Sequence, residues 1–478
     1  MRFFFDIILV KMVTLGWAVN LTPLVLAFFL RRRWDTPLDR GLILRDGEAL
    51  FGPHKTSRGV LGGVVAGLVV GLPLGFPWWL GLSCGILGMG GDLLSSFLKR
   101  RAGLEAGRVV PGLDQVFEGG LPLLVLAPYF SLNLLQAAVY LGIFGLGAYG
   151  GSVLLQRTLL SKPFEGYPRP VRPDVRFREL RSCRIQNDPF RTLFNFEDAV
   201  YYHMLMKTTF RVLGLYEKGK ENALRVRSRR VVFTFRDLPP SFDGYTVLFL
   251  TDLHLDGVDG LTEKVQSMVR DLPADLCILG GDFRMENSGS SAEALSRLRR
   301  LLPEIRARDG ILGVLGNHDC IELVEPLEKS GMSFLLNDAV RIPRGGDEVW
   351  IVGVDDPHYY RCHDPGAAFA SVPSGAFSVF VAHSNEIYRE ASRYRPQLYL
   401  CGHTHAGQIR VPYLGAVFTH SRAPRRLSYG TWSHDGMMGY TSCGVGVSGI
   451  PVRFASQGEI VLIRLRRGDP PSASVLDP

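Results

Sequence analysis

The first 155 residues contain five long apolar runs, near 3–30, 59–76, 78–97, 116–131 and 133–155. A bilayer core asks for about 20 apolar residues per helical span, with every backbone polar group paired inside the helix. Five closely spaced runs therefore predict a five-helix transmembrane domain over residues 1–155. The second and fourth runs are short, but their glycines suit close helix packing. The first run, broken mainly by Asp6 and Lys11, is too long for a signal peptide and lacks a small-residue cleavage site.

Charge orients these spans. Arg31, Arg32, Arg33, Arg40, Arg45, Lys55 and Arg58 follow the first run. Lys99, Arg100, Arg101 and Arg108 follow the third, and Arg157, Lys162, Arg169 and Arg172 follow the fifth. The connections near Pro77 and Ser131 carry no Lys or Arg. The positive-inside rule then predicts an inner-membrane protein with its N-terminus outside and its C-terminal half in the cytoplasm. The net charge of +8 gathers around and just after the apolar runs, which favours an anionic membrane surface as partner. No aromatic-and-basic module points to nucleic acid. Seven scattered cysteines, an odd number with no Cys-x-x-Cys pair, predict no disulfide framework and a reducing compartment.

The charged loops between spans also carry acids and glycines. One reads Gly52-Pro53-His54-Lys55-Thr56-Ser57-Arg58-Gly59. Another reads Gly91-Asp92-Leu93-Leu94-Ser95-Ser96-Phe97-Leu98-Lys99-Arg100-Arg101, followed by Pro111-Gly112-Leu113-Asp114-Gln115. This set resembles the CDP-archaeol synthase family, integral-membrane cytidylyltransferases that join CTP to a lipid phosphate. The resemblance implies Mg²⁺ on Asp92 and Asp114, and phosphate contacts from Lys55, Arg58, Lys99 and Arg100. One departure matters: Phe117 stands where the family has a further aspartate, with Glu118 about 100° further round a helix. Two readings stand for this domain, a working transferase and a membrane anchor.

Residues 156–240 read as a basic connector that starts extended at Pro163, Pro168, Pro170 and Pro173. A helix is expected over 196–217, with Tyr202, Met206, Phe210 and Leu213 as its apolar stripe and Lys207 and Arg211 beside it. That stripe suits either lipid headgroups or the catalytic domain.

From residue 241 to 468 one pattern recurs: an apolar strand ends, and ligand-type residues follow at once. The strands 245–251, 275–280, 311–315, 377–382 and 397–401 lead into Asp252 and His254, Asp282, Asn317-His318-Asp319, His383, and His403 and His405. Helices are expected at 259–271, 290–308 and 386–394. In α/β sheets ligands collect beyond the carboxyl ends of strands, so five ends point at one place. Carboxylate, imidazole and amide oxygen suit Mn²⁺, Fe or Zn²⁺. One carboxylate must bridge two ions about 3.5–4 Å apart, and Asp282, preceded by glycines, is the candidate.

This ordered set resembles the calcineurin-like metallophosphoesterase superfamily over roughly 240–465. The resemblance implies a first metal on Asp252, His254, Asp282 and His405, and a second on Asp282, Asn317, His383 and His403. It makes His318 the transition-state stabiliser and Asp319 the group that orients it. Gly407-Gln408-Ile409 and the stretch from Cys443 to Phe454 look like the bacterial membrane-associated branch, which includes UDP-2,3-diacylglucosamine pyrophosphatases. The glycine-rich loop there places backbone N–H groups or Arg453 near an anionic substrate, or simply closes the sheet. His358 and His363 are substrate-edge candidates; His203, His420 and His434 read as structural or surface groups. The tail 469–478 reads as disordered.

The chain is thus expected to be multi-domain, a transmembrane bundle joined to an α/β metallophosphoesterase domain built as a helix-covered β-sandwich. Its expected chemistry is two-metal hydrolysis of a phosphodiester or pyrophosphate. Membrane lipids are its expected partners, with a nucleotide (CTP or a nucleotide-diphosphate lipid) as a further one.

Overall fold

A computed structural model describes residues 2–30, 33–104, 112–159, 161–184, 205–411, 413, 415–416 and 418–476. The chain divides into two compact units, one of residues 1–165 and 171–174, the other of 166–170 and 175–478. Arg31, Arg32, Arg108, Pro111, Tyr202 and His203 lie outside the described residues, as does the first half of the helix expected over 196–217.

The first unit is helical: α1 (Arg2–Leu30), α2 (Ser57–Gly71), α3 (Trp78–Arg101), α4 (Leu113–Gly120), α5 (Leu123–Phe130) and α6 (Leu134–Leu159). Among the described residues three helices are long and apolar enough to cross a membrane: Ile7–Ala27 within α1, then α3 and α6. The run at 59–76 becomes a helix of 15 residues. The run at 116–131 becomes two helices of eight residues each. Pro122, which has no N–H to continue an α-helical ladder, lies at their junction. Leu134, Leu135 and Leu146 on α6 are largely exposed, as lipid-facing residues would be. Glycine lets α2 and α3 meet: a Cβ on Gly67 would stand 2.4 Å from the Gly81 carbonyl oxygen.

The second unit packs two sheets face to face. One runs β15-β1-β14-β2-β3-β4-β5, the other β12-β13-β9-β8-β7-β6. The first sheet comprises β1 (Val226–Phe235), β2 (Thr246–Leu250), β3 (Leu276–Leu279), β4 (Ile311–Gly313), β5 (Ser333–Phe334), β14 (Gly458–Arg467) and β15 (Ser472–Leu476). The second comprises β6 (Asp338–Arg344), β7 (Asp347–Gly353), β8 (Ser378–Val381), β9 (Leu398–Cys401), β12 (Gly430–His434) and β13 (Met437–Thr441). A small hairpin, β10 (Arg410–Val411) and β11 (Gly415–Ala416), stands apart. The neighbours β2, β3, β4 and β5 are parallel, as are β7, β8, β9 and β13.

Phe249, Ile278 and Val461 from the first sheet meet Ile351, Val379 and Leu400 from the second in one buried core. The helices Leu261–Arg270 and Ala292–Leu301 bury Val265, Val269 and Leu298 in turn. Strands covered on both faces explain why their sequences are apolar runs rather than alternations. Where a helix is expected over 386–394, three short helical turns follow one another.

The expected connector is largely part of this unit. β1 pairs in parallel with β14 over ten residues. Arg169 is buried, its guanidinium bonded to both oxygens of Asp355 at 2.6 and 2.8 Å. Met206 and Phe210 pack with Tyr216, Ile450 and Val452, and the Phe210 ring stacks on Phe454 at 5.3 Å. The described part of the apolar stripe therefore turns largely to protein, although Leu213 stays exposed.

The tail is a further correction. Residues 472–476 form β15, antiparallel to β1. The edge of β1 offers unpaired N–H and C=O groups, which pair with any extended segment whatever its hydropathy. Cysteine usage is corrected too: Cys183 and Cys320 form a disulfide across 137 residues. Local spacing carries no trace of a pair brought together by the fold.

The disulfide has a direct readout. Alkylating the denatured, unreduced chain should modify five of its seven cysteines, and all seven after reduction. Seven without reduction would show that the pair does not form.

Candidate metal centre

The strand ends converge as the apolar runs predict. Asp252 and His254 follow β2, Asp282 follows β3, Asn317 and His318 follow β4, His383 follows β8, and His403 and His405 follow β9. Leaving a strand and turning back at once forces unusual backbone. Asp252, His254, Asp282, His403 and His405 have φ of 51°, 39°, 56°, 70° and 48°. Such conformations cost about 1–3 kcal/mol each and persist where neighbours over-determine them. Here they are stitched together. Asp252 N donates to Gly281 O at 2.9 Å, His254 N to Asp282 O at 3.0 Å, and His403 N to the Asp252 carboxylate at 3.0 Å. Gly402 is required: a Cβ there would stand 2.1 Å from Asp252 Oδ2.

Among the described residues two buried donor groups result, Asp252 with His254 and His405, and Asp282 with His383 and His403, and a third, His358 with Glu386 and His403, lies partly exposed. Asp282 Oδ2 lies 3.6 Å from His254 Nε2 and 3.2 Å from His383 Nε2, so one carboxylate faces both groups. Asn317 Oδ1 lies 3.0 Å from His383 Nε2. Second partners fix the tautomers. His254 Nδ1 donates to Arg284 O at 2.7 Å, His383 Nδ1 to Gly280 O at 2.9 Å, and His403 Nε2 to His420 O at 3.1 Å. Each ring, when neutral, then turns a lone pair inward. Acceptors facing acceptors at such distances repel, and cations between them turn that repulsion into ligation. The donor set therefore fits a pair of divalent ions.

Electrostatics agree. Burial holds His254, His403 and His405 below the usual imidazole range, hence neutral and able to ligate. Burial also opposes charge on His383, but the Asp282 carboxylate beside it wins and pushes it up to about 10. Burial would raise Asp282, yet His383 and His318 hold it well below the carboxylate range. The site thus favours positive charge beside Asp282.

His318 stands at the edge, its Nε2 3.9 Å from Asp282 Oδ2 and 3.4 Å from Ser448 Oγ. Burial pushes it down to about 4. Asp319 works differently from expectation. Its two oxygens accept from the N–H groups of Asp282, Phe283 and Gly316 at 2.7–2.8 Å. It fixes the loops that carry Asp282 and Asn317 and makes no hydrogen bond to the His318 ring. The group that steadies His318 is Arg284, unnoticed in the sequence, whose Nε donates to the His318 carbonyl at 2.5 Å. Arg453 is fully buried, donating to the carbonyls of Cys443, Gly444 and Gly446. It braces the glycine-rich loop, and its guanidinium lies 3.4 Å from His405 Nδ1.

His358 reaches the rim: its ring centroid is 4.3 Å from that of His403, and its Nδ1 lies 3.1 Å from Glu386. His363 pairs instead with Glu390 at 3.5 Å. Glu386 carried no signal in the sequence, since its partner lies 28 residues away.

The helical unit gathers a second charged cluster. Lys55 pairs with Asp92 at 2.5 Å, Lys99 with Asp114 at 2.8 Å, and Arg58 with Asp35 at 2.5 Å. Lys99, Arg100 and Asp114 are buried. Glu118, which helix geometry alone set apart, accepts a hydrogen bond from Asn20 and faces Asp92, Asp114 and Lys55.

Comparison with known proteins agrees with this geometry. Residues 245–407 match the calcineurin-like phosphoesterase family. The metallophosphoesterase YkoQ of Bacillus subtilis is 28% identical over 51% of this chain and 92% of its own length. A transmembrane protein with a metallophosphoesterase domain from Danio rerio is 29% identical over 48% of this chain, which spans 55% of that relative. A solved structure described as an intramembrane enzyme for archaeal membrane lipid biosynthesis aligns with 30% of this chain and 92% of its own, at 27% identity and a TM-score of 0.26. That superposition is too loose to argue from. Residues 245–407 thus match the calcineurin-like phosphoesterase family, which indicates a metal-dependent hydrolase, and the chain's relatives include a transmembrane metallophosphoesterase.

Proposed function

We propose that the chain is a membrane-anchored two-metal phosphoesterase that hydrolyses a phosphodiester or pyrophosphate bond in an amphiphile of the inner leaflet, such as a nucleotide-linked lipid. The carrying observation is one carboxylate, Asp282, shared by two sets of imidazoles in a chain whose described residues also hold three membrane-length apolar helices. When bound, a pair of Mn, Fe or Zn ions supplies Lewis acidity and lowers the pKa of water. The chain's part is positional. Asp282 holds the two donor groups at a fixed spacing, and Asp319 locks the backbone beneath it. His318, neutral at pH 7, presents a ring N–H to charge developing on the phosphoryl oxygens. His358, braced by Glu386, borders the space beside His403 where the rest of the substrate lies.

Tethering supports the lipid reading, because it raises the domain's effective concentration over membrane substrates without any new contact. Loop charges support a cytoplasmic catalytic half with the N-terminus outside. A second reading adds cytidylyl transfer by the helical unit. What favours it is the cluster of Lys55, Asp92, Lys99 and Asp114, which Glu118 joins.

Three outcomes test these readings. His318→Ala should keep the metal content of the wild type and lower turnover about 10²–10³-fold, the scale of one lost transition-state donor. Loss of a metal instead would make His318 a ligand. A cysteine replacing Ser131 should react with an impermeant reagent from outside the cell, and one replacing Gly166 should not; the reverse pattern places the catalytic half outside. For the transferase, CDP-lipid formation from CTP and a phospholipid should vanish in Asp92→Asn, and its absence in the wild type would leave the helical unit as an anchor.

A further inference from the structure

A second recess lies in the catalytic unit. It has a volume of about 480 Å³ and is lined by Arg225, Arg227, Arg410, Tyr429 and Gln457, with Ala406 and Arg453 on the wall nearest the metal ligands. Its charge balance is lopsided. Glu459 lies 3.7 Å from Arg227 and 3.6 Å from Arg229 and serves both. Among the described residues no carboxylate pairs with Arg225 or Arg410. Among the described residues the Arg410 side chain makes one hydrogen bond, from Nη1 to the Ala406 carbonyl at 3.2 Å. Guanidinium groups gathered round a concave surface without matching acids repel one another, and an anion placed among them relieves that repulsion.

Tyr429 adds a donor. Its hydroxyl oxygen accepts from Arg227 at 2.7 Å and also from Arg229, which leaves the hydroxyl hydrogen free to point elsewhere. Burial, with Glu459, pushes the phenol up to about 12, so that hydrogen is retained. Asn222 and Gln457, both lining the recess, carry amides that can donate as well.

We propose that this recess is a binding site for a phosphate-type oxyanion, separate from the two-metal centre. Forked guanidinium donors match the tetrahedral oxygens of phosphate, and two or three of them round one anion give charge-assisted, directional bonds. The volume exceeds that of a phosphate alone and suits a phosphate ester, as ligand pockets of roughly 300–1,000 Å³ do. The recess also touches the catalytic loop. Ala406 follows His405 in sequence, and Arg453 reaches His405 Nδ1 from the shared wall. His405, Ala406 and Gln408 all have positive φ, at 48°, 52° and 47°. An anion on Arg410 therefore bears on a strained segment that carries a metal ligand. The site does not depend on which bond the metal centre cleaves.

Equilibrium dialysis of radiolabelled inorganic phosphate against the full-length, metal-loaded chain in detergent tests this. Wild type should bind one more phosphate per chain than R225E/R410Q. Arg225 is exposed and unpaired, so R225E alone leaves the fold and metal content intact and should weaken that extra site at least tenfold. Equal phosphate binding by wild type, R225E and the double variant overturns the proposal. The occupant is then sorted by competition. Displacement of the extra phosphate by micelles containing phosphatidic acid identifies a lipid headgroup. Displacement by soluble glycerol phosphate alone identifies a free phosphate ester. Displacement by neither overturns the assignment to phosphate esters.

Discussion

Asp282 is a carboxylate buried among three imidazoles, with its Oδ2 3.2 Å from His383, 3.6 Å from His254 and 3.9 Å from His318. A charge in that position is costly unless positive charge meets it. Much else in the domain can be read as the means of keeping it there. The parallel strands deliver it to the carboxyl edge of the sheet, Asp319 holds its backbone N–H, and carbonyls from neighbouring loops fix the ring tautomers around it. Five ligand-type residues accept left-handed backbone to face the same volume. Those local penalties are carried by a core that two sheets bury from both sides.

The ligand set was legible in the sequence because it obeys a local rule: each donor follows an apolar strand within a few residues. Strand ends 246–250, 276–279, 311–313, 378–381 and 398–401 lie within two residues of the expected ones. What stayed hidden depends on contacts between distant residues. Arg284 reads as an ordinary surface arginine until the fold lays it against the His318 carbonyl. Glu386 becomes meaningful only beside His358, and Cys183 only beside Cys320. Asp319 stands next to His318 in sequence, yet adjacency in a chain says little about which way a side chain turns. β15 escaped because edge pairing draws on backbone groups, which composition does not report.

The helical unit teaches a related lesson. Hydropathy marks where apolar residues gather but not whether they form one helix. The run at 116–131 breaks at Pro122 into two short helices, one carrying Asp114 and Glu118 toward Lys99, Lys55 and Asp92. Reckoned from an ideal helix, Glu118 was placed away from the cluster; side-chain reach and the Asn20 contact bring it in. Polar groups gathered inside apolar helices are expensive, which is why they carry a functional argument even where no single pair does.

The central claim is that Asp282 joins the two donor groups into one bimetallic centre. Loading the purified chain with Mn²⁺ and recording metal stoichiometry with electron paramagnetic resonance tests it most directly. Two Mn²⁺ per chain with the multiline signature of an exchange-coupled pair, replaced in Asp282→Ala by uncoupled or missing ions, is the predicted result. One ion per chain, or two that behave as isolated Mn²⁺ in the wild type, would contradict it.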